Sequence, residues 1–266
     1  MEIKQIALVY FSPTQTTKRV LEGMVTGIEN IDIIHIDLTL PVSIFEEITF
    51  TSHDLVIFGS PVYAGRIPKD SAVRFKQIKG DQTPAVFVGV YGNRAFEDAV
   101  LELKNLMEDQ GFVGVAGAAF IGEHSYATPE MNIANGRPDD EDLKIACEFG
   151  ENTISRLLGC TAIEALPALV VPGNFPHRDP MQPNDSSPET NSDLCTLCGI
   201  CVDVCPTGAI TMKDRIQTDG IKCILCCACT RKCPTSAREL QTEQVLKFRT
   251  FLVNQHSKRK EPQLFF

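Results

Sequence analysis

From Ile3 to Phe11 the chain is almost continuously apolar, the pattern of a strand covered on both faces in a parallel sheet. A polar loop, Ser12-Pro13-Thr14-Gln15-Thr16-Thr17, follows, and Val20, Leu21, Met24 and Ile28 then recur along one helix face. Ile31 to Leu38 reads as a second strand, and Leu55 to Ser60, Ala85 to Tyr91 and Val113 to Ile121 as three more buried ones. Helical patterns fall at about Ser71 to Ile78 and Ala95 to Asp109. A last helix runs from about Pro138 to Leu158; it opens with the acidic run Asp139, Asp140, Glu141, Asp142, which suits the positive end of a helix. Five strands alternating with helices predict a doubly wound α/β domain over residues 1–160.

Composition then shifts. Residues 161–191 carry prolines at 167, 172, 176, 180, 183 and 188 and the polar tract Asn184-Asp185-Ser186-Ser187, which predicts a stiff, extended linker with a mobile second half. Its first half, Leu169 to Phe175, is apolar enough to pack on the preceding domain. A cysteine-rich segment fills residues 192–238, and 239–266 form a helix and tail. Thr242 is placed to cap that helix, and Val245, Phe248 and Leu252 share one face suited to docking on protein rather than on a membrane. Lys258-Arg259-Lys260 reads as a solvated helix end or a contact for an acidic redox partner.

Open parallel sheets bind ligands outside the carboxyl ends of their strands, so the loops there are the place to look for chemistry. Ser12 to Thr17 offers four hydroxyls and free backbone N–H groups at a helix start, a cradle for one phosphate. It has neither the glycines nor the lysine of a Walker loop. Pro61-Val62-Tyr63-Ala64-Gly65 and Tyr91-Gly92-Asn93-Arg94 each add an aromatic residue, and two aromatics beside one phosphate site suit a flat ring system. Glu123-His124-Ser125-Tyr126 also follows a strand end; it reads equally as a cover for the ring's edge or as an ordinary loop. His35, His53, His177 and His256 are not grouped with acids or hydroxyls and read as structural.

The eleven cysteines change the picture most. Cys195, Cys198, Cys201, Cys205-Pro206 and Cys223, Cys226, Cys229, Cys233-Pro234 both have the C-x2-C-x2-C-x3-C-P spacing of bacterial two-cluster ferredoxins. A cubane needs four converging thiolates; each tight loop supplies three, and the fourth crosses over from the other run. That rule assigns Cys195, Cys198, Cys201 and Cys233 to one [4Fe-4S] cluster and Cys205, Cys223, Cys226 and Cys229 to a second. Disulfides would need an oxidising compartment, and zinc sites would show paired C-x2-C units instead. Cys227 reads as a spare thiol, and Cys147 and Cys160 as small hydrophobes.

The net charge of −9 disfavours a nucleic-acid partner, no apolar run is long enough for a membrane span, and a start without a basic leader points to the cytoplasm. On these residues the first domain resembles a flavodoxin and the second a two-cluster bacterial ferredoxin, and the whole chain is similar to a flavodoxin-ferredoxin fusion family of anaerobes. The resemblance implies a flavodoxin-like five-stranded parallel sheet, a small α+β ferredoxin domain and a C-terminal helix. It implies FMN as well, its phosphate held by the Ser/Thr-x-Thr-x-x-Thr pattern at Ser12, Thr14 and Thr17, with Gln15 and Thr16 in the same loop, and its ring between the Tyr63 and Tyr91 loops. Pro13 removes one possible donor there.

The expected function is an electron-transfer flavoprotein joining one-electron and two-electron redox proteins through FMN and two [4Fe-4S] clusters. Two other readings stand beside it: an FMN-dependent oxidoreductase that reduces a small substrate such as a quinone, and a non-catalytic redox sensor. The apolar face of the last helix and Leu264-Phe265-Phe266 predict that the ferredoxin part docks over the flavin, within one chain or across a homodimer.

Overall fold

Along the first strand, β1 (Gln5–Tyr10), Ile6, Leu8 and Tyr10 face one side and Ala7 and Val9 the other, and all five are buried. A strand apolar on both faces belongs inside a sheet covered twice. A computed structural model, which describes residues 1–41, 47–180 and 185–266, has that arrangement; Pro183 and Asn184 of the expected linker lie outside the described residues. After β1 come α1 (Thr16–Met24), β2 (Asp32–Asp37), β3 (Ile48–Phe50), β4 (Asp54–Pro61), α2 (Lys69–Phe75), β5 (Ile78–Gly80), β6 (Thr83–Tyr91), α3 (Ala99–Glu108), β7 (Phe112–Ile121) and α4 (Asp140–Leu158). The cysteine-rich part contributes β8 (Glu189–Thr190), α5 (Ile200–Asp203), β9 (Ile210–Met212), β10 (Ile216–Thr218), α6 (Ala228–Arg231) and β11 (Arg238–Glu239); α7 (Glu243–His256) and β12 (Gln263–Phe265) close the chain.

The main sheet has the order β2-β1-β4-β6-β7-β12, and its first five strands are parallel. Counted among themselves these five run 2-1-3-4-5, the flavodoxin-like doubly wound order, with its switch point between β1 and β4. On one face α1 and α4 contribute Val20, Leu21, Met24, Phe149 and Leu157 to the core. On the other, α2 and α3 contribute Phe75, Val100, Leu103 and Met107 around Phe58, whose ring lies 4.9 Å from Phe112 and 5.8 Å from Phe75.

Two local expectations shift. The helix placed at 71–78 ends at Phe75, and Ile78 instead starts β5, which pairs in parallel with the distant β3. The helix placed from Ala95 begins at Ala99, because a turn with Glu97 at positive φ precedes it. At α4 the acidic start is a capping box: Asp139 accepts from the Asp142 N–H and Asp142 accepts from the Asp139 N–H.

The linker's first half is part of the α/β core, with Leu169 and Val171 buried against β7 and α3 residues. Burial pushes the Asp98 carboxyl up, but bonds from the Arg178 and Asn174 N–H groups and the Asn174 amide outweigh this and hold it below the usual carboxylate range. The end of the chain returns to the same sheet. Asn93 Nδ2 donates to the His256 and Lys258 carbonyls, Arg259 reaches Asp139 at 2.6 Å, and Lys260 Nζ donates to the Arg94 carbonyl, so two of the three expected surface cations are engaged within the chain. β12 then adds to β7 as a sixth, antiparallel edge strand. Phe265 packs on the core, while the Phe266 ring lies 5.1 Å from Phe149 and under the Arg156 guanidinium.

Candidate cofactor sites

The loops after β1, β4, β6 and β7 meet at one end of the sheet around a cavity of about 900 Å³, within the range of small-molecule and cofactor sites. From the sequence-predicted set, Thr14, Thr16, Pro61, Val62, Tyr63, Ala64, Gly65, Tyr91, Gly92 and Arg94 line it. Ser12, Gln15, Thr17 and Asn93 do not. Ser12 Oγ accepts the Lys18 N–H, Gln15 Nε2 donates to the Ser12 carbonyl, and Asn93 is turned to the end of α7. Thr17 is fully buried in the first turn of α1, and among the described residues its Oγ1 has no partner.

Local sequence explains the shape of these loops. Gln15 stands at positive φ just before α1, so the Thr16 and Thr17 N–H groups, which have no intrahelical acceptors, start the helix beside the Thr14 and Thr16 hydroxyls, 3.4 Å apart, while Ser12 Oγ takes the Lys18 N–H. Tyr63 and Arg66 exchange both backbone hydrogen bonds across Ala64 and Gly65, each at positive φ, the two-residue turn that favours glycine. At Gly92 a Cβ would strike the His124 ring, so glycine there lets the β7 loop close over the β6 loop.

The opposite wall comes from elsewhere in the chain. Ile224 and Leu225, between Cys223 and Cys226, line the cavity with Val245, Phe248 and Phe251 of α7. Sequence reading put Val245 and Phe248 on a docking face of the last helix but did not place Ile224, Leu225 or Phe251. The available signal was the Phe248-Phe251 pair on a helix whose face had no partner of its own. The Glu123–Tyr126 loop lies between the two halves: Arg231 of α6 reaches Glu123 Oε1 at 2.5 Å and the His124 carbonyl at 2.8 Å. Burial, then the nearby thiols Cys226 and Cys227, push the Tyr63 hydroxyl pKa well up. His124 is pushed down to about 4 by burial and by Arg231, Arg94 and Arg249, and its Nδ1 accepts the Tyr126 N–H, so the ring is neutral at pH 7.

In the cysteine-rich part, Cys205, Cys223, Cys226 and Cys229 line one small enclosed cavity, together with Cys227 and Arg238. Burial raises the pKa of Cys223, and the neighbouring Cys229 and Cys205 add to this against the opposing pull of the Leu225 N–H and Arg238. Among the described residues no three His, Cys, Asp or Glu side chains converge closely enough for a single ion. A cubane does not require that, because each of its thiolates binds a different iron. Cys201 is buried in one cluster with Cys205 and Cys229, Cys195 and Cys223 pack against that cluster, and Cys198 is exposed. The repeated Cys-Pro-Thr-x-Ala sequence gives the same turn twice: the Ala209 N–H points at Cys205 Sγ (3.3 Å) and the Ala237 N–H at Cys233 Sγ (3.2 Å).

Residues 188–211 match the family of 4Fe-4S binding domains. That stretch holds the first cysteine run; the second lies beyond it. No curated protein matches the chain. Among solved structures it is similar to a flavodoxin from the domain Archaea (15% identity, TM-score 0.39, covering 58% of this chain and 99% of that one) and to the Streptococcus pneumoniae TIGR4 flavodoxin (13%, 0.41, 57% and 99%). It is also similar to a Fusobacterium nucleatum flavodoxin bound to flavin mononucleotide (14%, 0.41, 58% and 99%). At these scores the fold rests on the strand order itself. Among the described residues no helix is long and apolar enough to cross a membrane.

Proposed function

We propose that this chain is an electron-transfer flavoprotein of the flavodoxin-ferredoxin fusion kind, with FMN in the cavity at the strand ends and two [4Fe-4S] clusters in the cysteine-rich part. The observation that carries this reading is the cavity's double wall: sheet loops on one side and, on the other, the two residues lying between Cys223 and Cys226. Thr14, Thr16 and the N–H groups of Thr16 and Thr17 would hold the phosphate, joined by the Thr17 hydroxyl, which does not line the cavity but has no partner among the described residues, and the Tyr63 and Tyr91 loops would hold the ring. Cys195, Cys198, Cys201 and Cys233 would bind the first cluster and Cys205, Cys223, Cys226 and Cys229 the second. The cavity that Cys205 shares with Cys223, Cys226 and Cys229 supports the crossover.

When bound, the clusters carry one electron each and FMN up to two, so a chain holding all three connects one-electron with two-electron partners. Ile224 and Leu225 keep water from the space between the second ligand set and the flavin cavity, and Arg231 clamps the two parts together through Glu123 and the His124 carbonyl. His124 adds no charge to the cavity at neutral pH. We place the flavodoxin-like domain at 1–160, with β12 returning to it, the linker at 161–191, the ferredoxin domain at 192–238 and the helix and tail at 239–266.

Anaerobically purified protein should contain one noncovalent FMN and about eight iron atoms per chain, since each four-cysteine set holds one cubane. After rapid mixing with a one-electron reductant, the cluster-to-flavin phase should be independent of protein concentration and absent from a Cys226→Ser variant. Iron near four, on the same cubane count, would remove the two-cluster claim. A phase that scales with concentration would remove transfer within one chain.

A further inference from the structure

The two cysteine runs repeat in backbone as well as sequence: Leu197 and Leu225, Gly199 and Cys227, and Gly208 and Ser236 all have positive φ. One equivalent pair breaks the repeat in charge. The first run continues Ala209-Ile210, the second Ala237-Arg238. Both positions are buried, Ile210 at 4% exposure and Arg238 at 5%, so a guanidinium in one half stands where the other has a hydrocarbon. Arg238 Nη1 donates to Thr190 Oγ1 at 2.7 Å, and Nη2 to Thr218 Oγ1 at 2.9 Å and to Cys229 Sγ at 3.7 Å. Among the described residues its Nε has no hydrogen-bond partner, and its two Nη groups reach two hydroxyls and a thiol but no carboxylate. A buried cation facing two hydroxyls and a thiol is costly unless an anion completes the site. A thiolate-ligated cluster in the cavity that Arg238 lines with Cys205, Cys223, Cys226 and Cys229 is such an anion.

We infer that Arg238 is a positioning residue that raises the reduction potential of the second cluster above that of the first, so that electrons collect on the cluster facing the flavin cavity. The inference rests on the two-cluster reading above. Each added electron makes a cluster more negative, so a fixed charge and an N–H···S bond favour the reduced form more than the oxidised one. The first cluster's Cys201 lies near the same guanidinium without a hydrogen bond to it, so its cluster responds in the same direction but less. Ile210 gives neither half such a bond.

The test is an anaerobic redox titration followed by electron paramagnetic resonance, with iron content measured on every sample. The wild-type protein should show two waves, the upper one missing in Cys226→Ser. In Arg238→Gln and Arg238→Met the upper wave should move to lower potential by more than the other wave moves, and Arg238→Lys should restore part of the difference. Waves that shift equally or stay in place overturn the inference. Loss of both clusters in the Gln and Met variants alike makes Arg238 a structural residue and overturns it too. A wild-type protein with a single wave and half the expected iron fails the two-cluster reading itself, before any Arg238 variant is made.

Discussion

Thr17→Val should have opposite effects on the empty and the FMN-loaded protein. The side chains are nearly the same size and their helix propensities are close, so the change removes a hydroxyl and little else. In the empty chain that hydroxyl is buried without a partner among the described residues, a condition that costs about 1–3 kcal/mol. Valine removes this cost, so FMN-free protein should gain about 1 kcal/mol and melt roughly 2–4 °C higher. In the proposed complex the same hydroxyl would donate to the phosphate, and a hydrogen bond to a charged group contributes about 1.5–3 kcal/mol. Valine loses it, and the dissociation constant should rise roughly ten- to a hundredfold. Both halves are measurable on anaerobic protein with its clusters intact: thermal unfolding after flavin removal, and quenching of FMN fluorescence on titration. Unchanged affinity would take the phosphate away from α1. A lower melting point in the empty protein would mean that the hydroxyl has a partner after all.

Arg231→Ala should weaken the docking of the two parts by about 1–2 kcal/mol, since it removes a partly exposed ion pair and a bond to a carbonyl. The concentration-independent cluster-to-flavin phase should slow, and an unchanged rate would show that Arg231 does not hold the parts together. His124 gives a pH effect of definite sign. Its pKa is pushed down from 6.5 to about 4 in the fold, so between these values the unfolded chain binds the extra proton and stability falls as the solution is acidified. From pH 6.5 to 5 the loss is at most about 2 kcal/mol, and it should vanish in His124→Gln; a slope that persists in the variant assigns it to another group.

The parts of the fold that bury themselves were legible in sequence, because a strand covered twice must be apolar at consecutive positions, as Ile6 to Tyr10 and Ala85 to Tyr91 are. Pairings between distant segments were not. Nothing near Ile78 announces its strand partner Ile48, and β8 to β11 are two- and three-residue strands whose core is largely cysteine. The polar and aromatic loops at the strand ends could be read because each sits next to a recognisable strand. Their opposite wall could be read only in part: the unpaired apolar face with Phe248 announced a docking helix, but Leu225 owes its position to how two remote pieces of chain meet. Asn93 shows the limit within one loop: its sequence context places it beside Tyr91 at the cavity, but its amide bonds the end of α7 instead.

The edge strand β12 has a consequence for biosynthesis. The cysteine-rich part lies in sequence between the sheet and the strand that finishes the sheet, so during translation the open edge of β7 has to wait for residues made long after it. Until then its unpaired backbone groups are a template for any passing strand. A chain interrupted anywhere in the cysteine-rich part would leave that edge bare, and such a product would be marked for aggregation or proteolysis rather than accumulating as a flavin carrier without its clusters.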